Sequence, residues 1–147
     1  MLVLSNAQVY TPLEVVRPAT LVIDRGRITS LRAGRSARGE DLKGHIVAPG
    51  FIDLHVHGYE GHDATSGEVD SLLSLARSLV RHGVTAFIPA TVTGPHEALL
   101  RAAKAAAEAI KAQGESPDGA RILGLELEGP YINPERKGAQ NSNFIRK

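Results

Sequence analysis

Hydrophobic and polar positions follow two different grammars along this chain. Up to about residue 48 the apolar runs are short and broken by turn residues, which predicts strands and turns. Leu2–Leu4 and Ala7–Tyr10 are apolar and β-prone. Thr20–Asp24 and Ile28–Leu31 flank Arg25-Gly26, a short hairpin turn in which the glycine supplies positive φ. Ser36–Gly44 is polar and reads as loop, and His45–Val47 leads into Pro49-Gly50.

From Phe51 onward strand and helix patterns alternate. Phe51–Val56 is the first strand. Thr65-Ser66-Gly67-Glu68 fits a capping box, with Thr65 as N-cap and Glu68 reaching back. The helix it opens carries Val69, Leu72, Leu73, Ala76, Leu79 and Val80 on one face, and Gly83 closes it. Val84–Val92 is almost continuously apolar, as a buried parallel strand requires. Gly94-Pro95 opens a second helix with proline at its first position. Its expected buried stripe is Leu99, Leu100, Ala103, Ala106, Ala107 and Ile110, and Gly114 ends it. Ile122–Leu127 is the third strand, and Gly129–Lys147 is polar and reads as loop.

Alternating strands and helices define the class as α/β, with right-handed βαβ units and a parallel sheet. Three such strands do not close a barrel, which takes about eight. Left open, they expose an apolar edge. The chain therefore reads as a piece of a larger fold, divided into 1–48 and 49–147.

Composition narrows the chemistry. The 147 residues suffice for a domain with a real core, and 42% apolar with 22% charged positions fits a globular, soluble chain. Seventeen basic and 16 acidic side chains leave a formal charge of +1, so nothing electrostatic favours nucleic acid or an anionic membrane. The chain has no cysteine, so any metal must be held by His, Asp or Glu. The N-terminus lacks the basic and long apolar stretches of a signal peptide, and no run is long enough to cross a bilayer. Cytoplasm is the default compartment.

The strongest chemical signal is Asp53-Leu54-His55-Val56-His57-Gly58. Residues two apart on a strand share a face, so Asp53, His55 and His57 are expected to point together, with Leu54 and Val56 turned toward helix packing. Two imidazoles so spaced can bind one metal ion, and a carboxylate can orient an imidazole through its second nitrogen. Read singly, one histidine binds nothing and the other ends the strand. The pair at the C-terminal end of a parallel strand, where α/β folds build their sites, favours metal. Glu126 and Glu128 likewise share a face, and two inward carboxylates are costly unless paired or metal-bound. Glu128 alone is an ordinary strand-end charge; beside the histidines it supplies the third ligand of a hydrolytic metal. Lys137-Gly138-Ala139-Gln140 occupies the loop above the third strand, a site for substrate or plain polar surface. His62 and Asp63 line or order the first loop, and His45, His82 and His96 read as solvated. Arg146 and Lys147 have the charge to meet a phosphate.

Pro49-Gly50-Phe51-Ile52-Asp53-Leu54-His55-Val56-His57-Gly58 resembles the first barrel strand of the amidohydrolase superfamily. The segment Leu123–Pro134, followed by Lys137–Asn141, more narrowly resembles the N-acetylglucosamine-6-phosphate deacetylases. The likeness covers essentially this whole chain but only the first part of that family's length. It implies the first three strands and two helices of a (β/α)8 TIM-type barrel, preceded by strands of a small β-sandwich domain. It implies hydrolysis of the acetamide of N-acetylglucosamine 6-phosphate by a metal-activated water, giving glucosamine 6-phosphate and acetate. Glu128 matches the family's metal ligand, His55 and His57 a His pair that supports a second metal in members keeping it, and Ala139 and Gln140 sugar-contacting loop positions. Gly58, Gly61 and Asp63 match the loop after the first strand. Asp53 and Glu126 fall behind the ligands; many members carry histidine at the Glu126 position and some at Gln140. The catalytic aspartate and two further histidines are expected beyond residue 147, so 1–147 alone is expected to be inactive. One or two divalent ions, zinc or iron, are implied as cofactors, an amino-sugar phosphate as ligand, and a homodimer as assembly. Another amidohydrolase, such as a cyclic amidase or deaminase, is the alternative activity. A truncated chain with a structural or partner-binding use is the non-enzymatic one.

Overall fold

The computed structural model describes residues 1–115 and 117–146, so the Lys147 half of the expected Arg146-Lys147 phosphate contact lies outside the described residues. The chain forms two compact units, Met1–Pro49 and Gly50–Lys147.

In the first unit β1 (Leu2–Tyr10), β2 (Val15–Asp24) and β3 (Arg27–Ala33) form an antiparallel meander. The short strands β4 (Glu40–Asp41) and β5 (Ile46–Val47) pair with β1 in parallel. β1 is continuous where the apolar pattern shows two runs, because irregularities between Leu4 and Ala7 and between Ala7 and Val9 absorb the break. β2 starts at Val15, earlier than the expected Thr20. Pro18 hides that start: proline argues against a central strand, but here it falls at the irregularity between the Ala7–Ala19 and Val9–Val16 pairs. Ala7, Val9 and Ala19 form the core, with Val16, Leu31, Leu42 and Val47 against it.

The second unit runs β6 (Phe51–Val56), a hairpin of β7 (Gly58–Tyr59) and β8 (His62–Asp63), α1 (Val69–Val80), β9 (Val84–Thr91), α2 (His96–Gln113), β10 (Arg121–Ile122) and β11 (Glu126–Leu127). All pairing with β9 is parallel, as the alternating pattern requires. β6 and β10 pair the same stretch of β9 from opposite sides, and β11 continues along it to Ala90 and Thr91. The third strand is therefore two pieces, not one run over Ile122–Leu127. Ile122 lies opposite Phe87 but Glu126 lies opposite Ala90, so one extra residue is inserted between them. That slip sends Ile122 into the core beside Phe87 while Glu126 faces elsewhere. The hairpin β7–β8 carries no apolar alternation and was not expected.

The helices correct four expectations. Thr65 is not an N-cap; Glu68 occupies that position without a side-chain bond. Gly67, at φ +77, interrupts the would-be box, and Thr65 Oγ1 instead accepts the Val92 backbone N–H at 3.2 Å. Helix α1 buries Leu72, Leu75, Ala76, Ser78 and Leu79, leaving Val80 largely exposed. Pro95 is the N-cap of α2 and not its first residue. Helix α2 buries Leu99, Ala102, Ala105, Ala106 and Ala109, not Leu100, Ala103, Ala107 and Ile110. Alanine fits either stripe by hydropathy, and the smaller stripe faces the core because it lets the helix approach closely. Leu99→Ala should therefore cost about 2 kcal/mol of unfolding free energy, the low end for a buried leucine. Leu100→Ala should cost under about 0.5 kcal/mol, as surface changes do. Urea unfolding of the two variants checks this; equal costs contradict the assigned face.

The core collects Leu72, Leu75, Leu79, Phe87, Ala105, Ala106 and Ile122, with Val56 and Leu125 packed on it. Leu54, expected against a helix, is 62% exposed, because β6 pairs only with β9 among the described residues. No helix among the described residues is long and apolar enough to cross a membrane.

Candidate metal centre

The parallel sheet brings the ends of β6 and β11 together on either side of β9. His55 and His57 come from the first, Glu128 from just past the second. One ligand atom from each lies within 4.8 Å of the others. Glu128 Oε2 is 3.0 Å from His57 Nε2 and 3.5 Å from His55 Nε2. The two rings meet edge to face, with centroids 4.8 Å apart.

The outer nitrogens define the chemistry. His55 Nδ1 lies 2.8 Å from Glu126 Oε2, and His57 Nδ1 lies 2.9 Å from the Ala90 carbonyl oxygen. Both partners only accept, so each Nδ1 carries the proton and donates. In the neutral rings Nε2 then presents a lone pair toward Glu128. Glu128 Oε2 is buried and has no hydrogen-bond partner. Two lone pairs and an anionic oxygen converging on one point repel unless a positive charge sits among them. A proton on one ring relieves this in part; a divalent cation relieves it at all three atoms. The donor set of two nitrogens and one oxygen, each imidazole bonded behind, suits such an ion.

Asp53 does not take the expected place behind an imidazole. Its Oδ1 accepts the His55 backbone N–H at 3.0 Å. The pairing of β6 with β9 slips between Asp53 and Val56, so strict two-residue alternation fails there. Glu126 Oε2 is the carboxylate oxygen that meets the His55 ring. Gln140 is buried, and its Oε1 accepts the Thr93 N–H at 2.7 Å, which ties the loop to the end of β9. Ala139 is exposed in the same loop. Lys137 turns inward, donating to the Gln140 and Gly138 carbonyl oxygens at 3.0 and 3.4 Å. Asp63 orders its loop by accepting the Thr65 N–H at 2.6 Å. His82 meets the Tyr59 hydroxyl at 3.1 Å, and His45 Nδ1 meets the Leu42 carbonyl at 2.6 Å, so neither is simply solvated. Arg146 is exposed, and its N–H donates to the Pro130 carbonyl at 2.9 Å.

Two contributors carry no sequence signal. Ala90 acts through its carbonyl. Thr93, 4% exposed, donates its hydroxyl to the Glu128 carbonyl at 2.8 Å and so fixes the backbone beneath the carboxylate.

The Glu126 hydrogen bond is the main cause lifting the His55 pKa above its ordinary 6.5; desolvation opposes it, and the charges of Glu126, Glu128 and Asp53 add to it. A group with a raised folded pKa stabilises fully below its unfolded value. For the metal-free chain this contribution should be complete below about pH 6.5 and disappear as pH rises through the higher folded value. Urea unfolding across pH in chelator should show that loss, and Glu126→Gln should flatten it. An unchanged slope in the variant contradicts the assignment.

These elements and this donor cluster form a candidate metal site at the strand ends of an α/β unit. The Amidohydrolase family profile matches residues 46–147, and the chain belongs to that family. It is 31% identical over 150 residues to the N-acetylglucosamine-6-phosphate deacetylase of Bacillus subtilis (strain 168), covering 99% of this chain and 38% of that protein. The crystal structure of the Pasteurella multocida deacetylase of the same name superposes with a TM-score of 0.86 at 29% identity, over 99% of this chain and 38% of that one. A Mycobacterium smegmatis deacetylase solved in complex with N-acetyl-D-glucosamine-6-phosphate gives 0.78 at 31% identity, over 99% and 37%. The chain thus spans well under half the length of the relatives it matches.

Proposed function

We propose that this chain supplies the opening part of an N-acetylglucosamine-6-phosphate deacetylase. The convergence of His55, His57 and Glu128 around an unpartnered buried oxygen carries the reading. In it, β6, α1, β9, α2 and the β10–β11 run are the first three strands and two helices of a (β/α)8 barrel. Residues 1–48 belong to a small β-sandwich domain. Relatives of this name over nearly the whole chain support the substrate.

His55, His57 and Glu128 would hold one or two divalent ions, zinc or iron, both of which accept imidazole nitrogen and carboxylate oxygen. Such an ion lowers the pKa of water and polarises an amide carbonyl. This chain's own part is to fix the donors. The Ala90 carbonyl holds one ring, Glu126 the other, and Thr93 the backbone of Glu128. The loop bearing Ala139, anchored through Gln140, would cover the sugar. The aspartate that moves the proton, and the remaining histidines, belong to later strands in this reading.

Acetate release from N-acetylglucosamine 6-phosphate by the complete protein is the test. Turnover of that substrate and none of cyclic amides or aminated bases supports the proposal. The reverse selectivity overturns it. Residues 1–147 alone should bind metal without turnover; a rate comparable to that of the complete protein would show that no essential group lies elsewhere.

A further inference from the structure

We propose that Glu126 is a positioning residue that locks the His55 ring with Nδ1–H directed at its carboxylate, leaving Nε2 as the metal donor. This rests on the metal reading above and adds to it how one of the ligands is held. His55 sits on β6 and Glu126 on β11, across β9 from it. The His57 ring packs on the His55 ring edge to face, a contact that does not choose between its tautomers, so that choice falls to a hydrogen bond. The 2.8 Å contact to Glu126 Oε2 is the hydrogen bond its nitrogens make among the described residues. A charge-assisted bond of this kind is about twice as strong as a neutral one.

His57 provides the contrast. Its Nδ1 is held by the Ala90 carbonyl, which no side-chain substitution removes. One ligand is thus oriented by main chain and the other by a side chain. Glu126 itself lies outside the three-residue donor group, so it serves the site from behind the ring. It reaches that place because the extra residue between Ile122 and Glu126 resets the phase of the strand, turning Glu126 and Glu128 together toward β6. A carboxylate behind an imidazole also raises the basicity of the ligating nitrogen.

The experiment uses the 147-residue chain, wild type, Glu126→Leu and Glu126→Gln. Long-range nitrogen–proton NMR on the metal-free proteins, at a pH where both rings are neutral, reads each tautomer. Zinc affinity and stoichiometry are read by chelator competition. In the wild type His55 should be a single Nδ1–H tautomer. In Glu126→Leu it should become a mixture while His57 stays unchanged, which also shows that the fold survives. Zinc affinity should fall roughly 10- to 100-fold, as for other residues behind metal ligands. Glu126→Gln keeps an acceptor and should recover most of the affinity and the single tautomer. The proposal is overturned if Glu126→Leu leaves the His55 tautomer unaltered, or if it lowers the number of ions bound, which would make Glu126 a ligand. If the complete protein binds no zinc either, the metal reading falls, while the tautomer comparison still decides the role of Glu126.

Discussion

Replacing Glu128 by alanine should weaken zinc binding by the 147-residue chain roughly 100-fold or more. Even residues that only support a ligand change metal affinity 10- to 100-fold, and Glu128 supplies the one anionic donor of the group. The variant also relieves the repulsion it leaves behind: without Oε2, the Nε2 atoms of His55 and His57 face open space instead of a buried, unpartnered oxygen. Metal-free Glu128→Ala should therefore be no less stable than the parent, while its zinc-dependent stabilisation disappears. Thermal unfolding with and without zinc separates the two. A variant that keeps its zinc affinity removes Glu128 from the ligand set.

Gly129→Ala should destabilise the second unit by about 3 kcal/mol, the sum of left-handed strain and overpacking. Gly129 has φ +97, and a Cβ there would collide with Thr93 Oγ1. That oxygen has little room to retreat. Thr93 is buried, its hydroxyl is bonded to the Glu128 carbonyl, and its N–H is bonded to Gln140. The methyl group would push directly on the backbone that carries Glu128, so zinc affinity should fall with stability. Denaturant unfolding and zinc titration of the variant check both; a parent-like midpoint contradicts the packing described.

His55, His57 and Glu128 were legible in the sequence because strand periodicity is simple and ligand chemistry allows few residue types. Their supports were less so. Asp53 shares the histidines' spacing, yet a slip in β6 leaves it bonded to backbone, and Glu126, distant in sequence, meets the His55 ring. Such slips leave no mark in a hydropathy pattern. Ala90 acts through a carbonyl that every residue has, and Thr93 is an ordinary threonine until its hydroxyl finds the Glu128 backbone. The alternation of β6, α1, β9 and α2 was readable from the pattern alone; β4, which falls in the expected loop 36–44, and β7 and β8 were not, because two residues leave no periodicity. The buried face of α2 was not legible either, because alanines line both faces of the helix and tertiary contact selects the stripe with the smaller side chains. Gln140 shows the opposite limit: its loop position was clear, but its bond into the fold depends on a chain reversal that no local pattern encodes.

The decisive observation is the position of the ion in a zinc-loaded crystal of this chain, read from anomalous scattering at the zinc edge. The expected peak lies about 2.0–2.2 Å from His55 Nε2, His57 Nε2 and a Glu128 carboxylate oxygen. A peak bound by other side chains, or none at these three atoms at saturating zinc, would contradict the shared site.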